Sequence, residues 1–197
     1  MYFLLHPFPA TAPGQGGQRQ YRGENRPRRT QCGARGVSNW AVISLGHRFR
    51  GDDGVGPYVL DRLRPYIEPA VPCIESGGDL MNLLEMWRDR CVCLVDAVDA
   101  SDLEIGAIVR CDGLSASVLP SHCTSSSHGF SLKEALDLGR LVQAMPLRLD
   151  IYGICGGHFA ISAGLSAAVQ ATADIVAQEI LALINTHNGG APCTSTR

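Results

Sequence analysis

The stretch "SLGHRFRGDDGVGPYVL", Ser44 to Leu60, sets two acids, Asp52 and Asp53, side by side between glycines. An apolar run precedes them and an amphipathic segment follows. Adjacent carboxylates repel, so the pair needs donors or a cation close by. An Asp at a helix N-cap accepts a backbone N–H and meets the positive end of the helix dipole. One acid suffices for that, which leaves the second for other work. Asp96 closes the apolar run in "LVDAVDA", and His128 lies in "SSSHGFSL", just ahead of a helical pattern. Two carboxylates and an imidazole suit a divalent ion of borderline softness such as zinc or nickel. The spacing is not that of a local metal motif such as HExxH. "HCTSSSH" offers His122, Cys123 and His128 as a competing local set, without partners at recognised spacing.

Several other chemistries lack their residues. "GDDGVG" is not a dinucleotide fingerprint, because the glycine order fails and acids there would repel phosphate. Lys133 is the sole lysine, so there is no Walker lysine. A small-molecule α/β hydrolase would carry a G-x-S-x-G elbow, which is absent.

The elements that must position these groups begin at Trp40. "WAVISLG" reads as a buried strand. "GVGPYVLDRLRPYI" reads as a helix, with Val55, Val59, Leu60 and Leu63 on one face and Pro57 tolerated in its first turn. "AVPCIESGG" is a second strand, and "DLMNLLEMWRD" a helix with Asp79 as N-cap. "CVCLVDAVDA" is a third strand ending at Asp96, apolar without alternation, as when both faces are covered. "GAIVRC" and "RLDIYGIC" are further strands. "SLKEALDLGRLVQA" is a helix with Ser131 and Glu134 in capping-box spacing. "LSAAVQATADIVAQEILALIN" is a closing helix capped near Ser166. Alternating strands and helices predict an α/β three-layer sandwich: a mostly parallel five-stranded sheet with helices on both faces. The link from 97 to 111 is short, which allows one antiparallel strand. In such sheets ligands gather beyond the carboxyl ends of the strands, where Asp52, Asp53, Asp96 and His128 all fall.

The sequence divides into an extension at 1–39 rich in Gly, Gln and Arg, an α/β domain at 40–186 and a short tail at 187–197. The extension has no periodicity and is expected to be disordered. With 45% hydrophobic and 18% charged residues, the rest is expected to be a soluble globular domain. A net charge of −2 gives no field toward nucleic acid or membrane, and no apolar run is read as long enough to span a bilayer. "MYFLLHPFPA" lacks the basic start and full apolar core of a signal peptide. There is no CxxC pair. Cys73, Cys91, Cys93, Cys111 and Cys155 lie in or beside apolar runs and read as buried free thiols, which suits a reducing cytoplasm.

"LGHRFRGDDGVGPYV", "ESGGDLMNLLEMW", "LVDAVDASDLEIGAI", "SSHGFSLKEALDL" and "GLSAAVQATADIVAQEI" resemble, in this order, the [NiFe]-hydrogenase maturation proteases, over about residues 40 to 185. The resemblance implies a twisted five-stranded sheet between helices. It also implies an endopeptidase that removes a C-terminal peptide from the hydrogenase large-subunit precursor once nickel is inserted. Carried over by position, it makes Asp53, Asp96 and His128 the metal-binding set, with Asp53 and Asp96 the catalytic acids. The nickel would come with the substrate. The enzyme would be a cytoplasmic monomer, aspartic-type or metal-assisted, with the water activated by the metal or by a carboxylate. Asp52 would cap the helix and brace the loop while Asp53 reaches outward. His47 stands where the family carries Asn, and is read as a neutral hydrogen-bonding substitute that supports the loop. His158 in "CGGHFAISAG" has no family role. The alternative reading is a non-catalytic nickel-sensing protein that docks on the large subunit.

Removing residues 1–37 is expected to leave stability and cleavage nearly unchanged, because that segment has too little apolar surface to offset its ordering entropy. The melting temperature of the truncated chain checks this.

Overall fold

The computed structural model describes residues 39–99, 102–115, 132–161 and 163–188. Five strands form one sheet: β1 (Trp40–Ser44), β2 (Cys73–Glu75), β3 (Cys91–Val98), β4 (Ile108–Asp112) and β5 (Arg148–Cys155), in the order β2-β1-β3-β5-β4. β2, β1, β3 and β5 run parallel, and β4 is antiparallel to β5. The helices are α1 (Val55–Leu63), α2 (Leu80–Trp87), α3 (Leu132–Leu141) and α4 (Ala167–Asn188). The expected α/β sandwich is what forms, and the short β3–β4 link does produce the one antiparallel strand.

Strand alternation sorts the core into two layers. Trp40, Val42, Cys93, Val95 and Ile154 face α1 and α4. Ala41, Ile43, Val92, Leu94, Leu149 and Ile151 face α2 and α3. Asp79 caps α2 as expected, accepting from the N–H groups of Met81 and Asn82. Trp87 closes that layer, with its indole N–H donating to the Ala144 carbonyl at 2.7 Å.

Three expectations change. The third strand does not end at Asp96: pairing with β5 carries it on to Val98, so Asp96 lies inside it. Cys91 is not a free thiol but is disulfide-bonded. Cys73, Cys93, Cys111 and Cys155 remain thiols. Finally, α4 is apolar enough to cross a bilayer by length and composition, with a mean hydropathy of 1.4 over Ala167–His187. Its stripe of Val169, Ala173, Val176, Ala177, Ile180 and Ile184 is buried on the sheet and α1. The 1–38 and 189–197 segments, Ser131 of the capping box, and His128 lie outside the described residues.

The strand order fixes where a ligand can enter. From β1 the chain passes to β2 on one side, then crosses over to β3 on the other. The β1–β3 junction is thus the switch point of the sheet, the place where open α/β sheets form their ligand crevice. α1 packs onto this junction through Gly56. A Cβ there would lie 2.5 Å from the Leu45 carbonyl oxygen and 3.0 Å from that of Val95. Both obstacles are backbone and cannot swing aside. Gly56→Ala should therefore destabilise the fold by about 1–3 kcal/mol, read as a lower urea midpoint.

Candidate active site

Between β1 and α1 the chain makes a tight loop followed by a 3-10 turn, Gly51–Gly54, that contains both acids. Gly46 bends the loop at φ +102°, and a Cβ there would fall 2.1 Å from the Asp53 carbonyl oxygen, so only glycine lets the strand end fold back over the turn. At three residues per turn, successive side chains in a 3-10 turn diverge by about 120°. The two carboxylates therefore face different surroundings, and both are buried: Asp52 is 0% exposed and Asp53 1%.

Asp52 does not cap α1, whose N-terminus has no side-chain cap. Its carboxylate turns to the loop between β5 and α4, 105 to 114 residues further on. Oδ2 accepts from the N–H groups of Gly157 at 2.9 Å and His158 at 3.0 Å, and from the Ser166 hydroxyl at 3.2 Å. Oδ1 accepts from the Ser166 N–H at 2.7 Å. Ser166 immediately precedes α4, so the charge also sits at the positive end of that helix dipole. The main chain adds two bonds: Asp52 N–H donates to the His158 carbonyl at 2.7 Å, and Gly51 N–H to that of Ala163 at 3.1 Å.

Asp53 faces the other way. Its Oδ2 accepts from the His47 N–H at 2.9 Å. His47 thus supports the acid through its main chain, while its side chain is exposed. The turn holding Asp53 lies against β3. Asp96 is half-buried there. β1 pairs with β3 only as far as Val95, so Asp96 is the first residue of β3 beyond the end of its neighbour. By alternation it shares a face with Val92 and Leu94. Gly153 stands opposite it on β5 and adds no side chain beside the carboxylate. The fold thus brings the Asp53 turn and Asp96 to the two adjacent strands that flank the switch point. His128, the third expected ligand, lies outside the described residues. Among the described residues there is no cluster of three His, Cys, Asp or Glu side chains arranged to hold a metal. Asp53 in the turn after β1 and Asp96 on β3 each offer hard carboxylate oxygens, the donor type that suits a divalent ion. Burial pushes the Cys73 and Cys93 thiols up, which disfavours the thiolate a nucleophile needs.

Sequence reasoning missed the partners of Asp52. Ser166 reads as an ordinary cap, and the glycines before His158 as a turn. It also missed Arg48, whose guanidinium bridges Asp61 on α1, at 3.0 Å, and Glu75 at the end of β2, at 2.6 Å. Arg64 joins the same two acids. This network pins the loop from outside.

A comparison with protein-family models finds no match, and one with curated proteins finds none either. Solved structures do match. The hydrogenase maturating endopeptidase HybD from E. coli superposes with a TM-score of 0.64 at 22% identity, over 75% of this chain and 92% of that one. The [NiFe] hydrogenase maturation protease HycI from Thermococcus kodakarensis gives 0.57 at 20%, over 77% and 95%. The endopeptidase HycI from Escherichia coli gives 0.56 at 19%, over 77% and 93%. The chain has the hydrogenase maturation endopeptidase fold. At such identities the likeness is one of fold, and it spans nearly the whole of each of those proteins. In this chain the fold places Asp53 and Asp96 at its switch point.

Hydrogen bonding to Arg48 holds the Asp61 and Glu75 carboxyls below their usual range. Their contribution to stability is therefore present above about pH 4 and is lost as pH falls through the depressed values. All three side chains are more than a third exposed, which limits the effect. Arg48→Ala should cost about 0.5–1 kcal/mol at pH 7, and the gap from wild type should close below about pH 4 in paired urea titrations.

Proposed function

We propose that the chain is an endopeptidase that removes a C-terminal peptide from the nickel-loaded precursor of a [NiFe]-hydrogenase large subunit. The observation that carries this reading is the packing of the Asp53 turn against β3, the strand that holds Asp96, at the β1–β3 switch point, in a fold shared with endopeptidases named for hydrogenase maturation. The proposal takes Asp53 and Asp96 as catalytic and nickel-contacting groups, with His128 as a third contact. Asp52 and His47 support them.

The nickel belongs to the substrate. Carboxylate oxygens hold such an ion weakly compared with thiolates, so the ion would stay with the precursor's soft ligands and bridge the two proteins. Free enzyme would then carry little metal of its own. Asp53 and Asp96 would orient the precursor's C-terminal segment and accept a proton from the attacking water. Phe49 and Ile161 are exposed on the two loops joined by Asp52, and would offer a protein substrate apolar contacts at the rim. The reading places the enzyme in the cytoplasm, acting as a monomer on its precursor.

Asp53→Asn and Asp96→Asn should each abolish processing while leaving the circular dichroism spectrum unchanged, because an amide is a poorer ligand and no base. Gel electrophoresis of nickel-loaded precursor after incubation checks it. A shortened large subunit with wild type and a full-length one with either variant is the expected result. Full activity in either variant would remove that acid from the mechanism. Binding without shortening by the wild type would favour a docking protein.

A further inference from the structure

Asp52 is a buried ionisable group that takes no direct part in the proposed chemistry, and how it supports Asp53 can be read from its partners. It is fully enclosed, and all the donors to its carboxylate come from Gly157, His158 and Ser166. Capping a helix would take one donor, and α1 receives none of its bonding. Contact between the two loops is close enough to exclude side chains. A Cβ on Gly51 would lie 2.3 Å from the His158 carbonyl oxygen, and one on Gly156 would lie 2.9 Å from Asp52 Cβ.

We propose that Asp52 is a positioning residue for the Asp53 carboxylate, acting by fixing the β1–α1 loop against the β5–α4 loop. Residue 52 is held by its main chain, by its side chain, and through its neighbour Gly51, whose N–H donates to the Ala163 carbonyl. The peptide joining it to Asp53 therefore has little freedom. Asp53 N–H closes the turn on the Arg50 carbonyl at 3.3 Å, and its carboxylate then meets the His47 N–H. The β5–α4 loop thus sets where the Asp53 carboxylate stands. Asn at position 52 would break the arrangement, since either orientation of its amide points NH2 at one or more backbone N–H groups. Only the effect on turnover rests on the endopeptidase reading.

The test uses the full-length chain, 15N-labelled, as wild type, Asp52→Asn, Asp53→Asn and Ser166→Ala. In Asp52→Asn the amides of Gly157, His158 and Ser166 should exchange faster. The His47 amide resonance, which Asp52 does not touch, should shift in the same direction as in Asp53→Asn. With nickel-loaded precursor, kcat should fall about 100-fold, while KM stays within about twofold. Loosened loop amides with an unmoved His47 resonance and unchanged kcat would overturn the proposal, leaving Asp52 a brace for the β5–α4 loop alone. Should Asp52→Asn fail to fold, Ser166→Ala removes only the hydroxyl bond. A smaller His47 shift in the same direction then supports the proposal, and no shift overturns it. A wild type that does not cut the precursor would remove the endopeptidase reading, while the His47 resonance would still decide the positioning role.

Discussion

A carboxylate out of contact with water has to be surrounded by donors, and at Asp52 those donors come from the far end of the domain. Each hydrogen bond to a charged group contributes about 1.5–3 kcal/mol, and a donor left unmet costs about 1–3 kcal/mol. The β1–α1 loop and the β5–α4 loop are therefore settled together or not at all. Around that joint the other features fall into place. α4 begins just after Ser166, with the Asp52 carboxylate at its positive end. Gly46 ahead of the turn and Gly51 at its first position, both at positive φ, let the chain fold tightly into it. Asp53 is buried on the other side of the same turn, where its carboxylate meets the His47 N–H.

This answers why two acids stand side by side. Their repulsion is relieved less by an awaited cation than by geometry. A 3-10 turn sends them in different directions, and each meets its own backbone N–H groups. Asp52 is structural charge, placed where removing it would unpair buried donors. Asp53 is held near the end of β3, where Asp96 passes beyond the last residue of β1. Asp96 is half-buried where β3 runs on past the end of β1. The extra pairing of β3 with β5, from Asp96 to Val98, keeps its main chain rigid.

The layering was legible in the sequence because it rests on local pattern. The apolar runs at Trp40 and Cys91, and the helical face of Val55, Val59 and Leu63, report burial directly. Asp52, Asp53 and Asp96 were picked out in the sequence because acids that interrupt or follow apolar runs stand out. What each acid touches was not, because contacts between residues 52 and 157–166 depend on strand order, and a cap for α1 looks the same from sequence. The end of β3 was misplaced for a related reason: a carboxylate reads as a boundary unless the partner strand is known to continue. The apolar length of α4 was underrated, because its buried stripe and its small residues are spread over a long helix. Cys91 could not be told from its neighbours, because burial and disulfide bonding both favour cysteine in an apolar run.

The proposed activity requires Asp53 and Asp96, at the β1–β3 switch point, to meet nickel brought by the substrate. Mass spectrometry of the large-subunit precursor, incubated with the purified chain with and without inserted nickel, tests this most directly. The account predicts loss of one C-terminal peptide from the nickel-loaded precursor and an intact mass for the nickel-free one. Equal trimming of both, or neither, would contradict it.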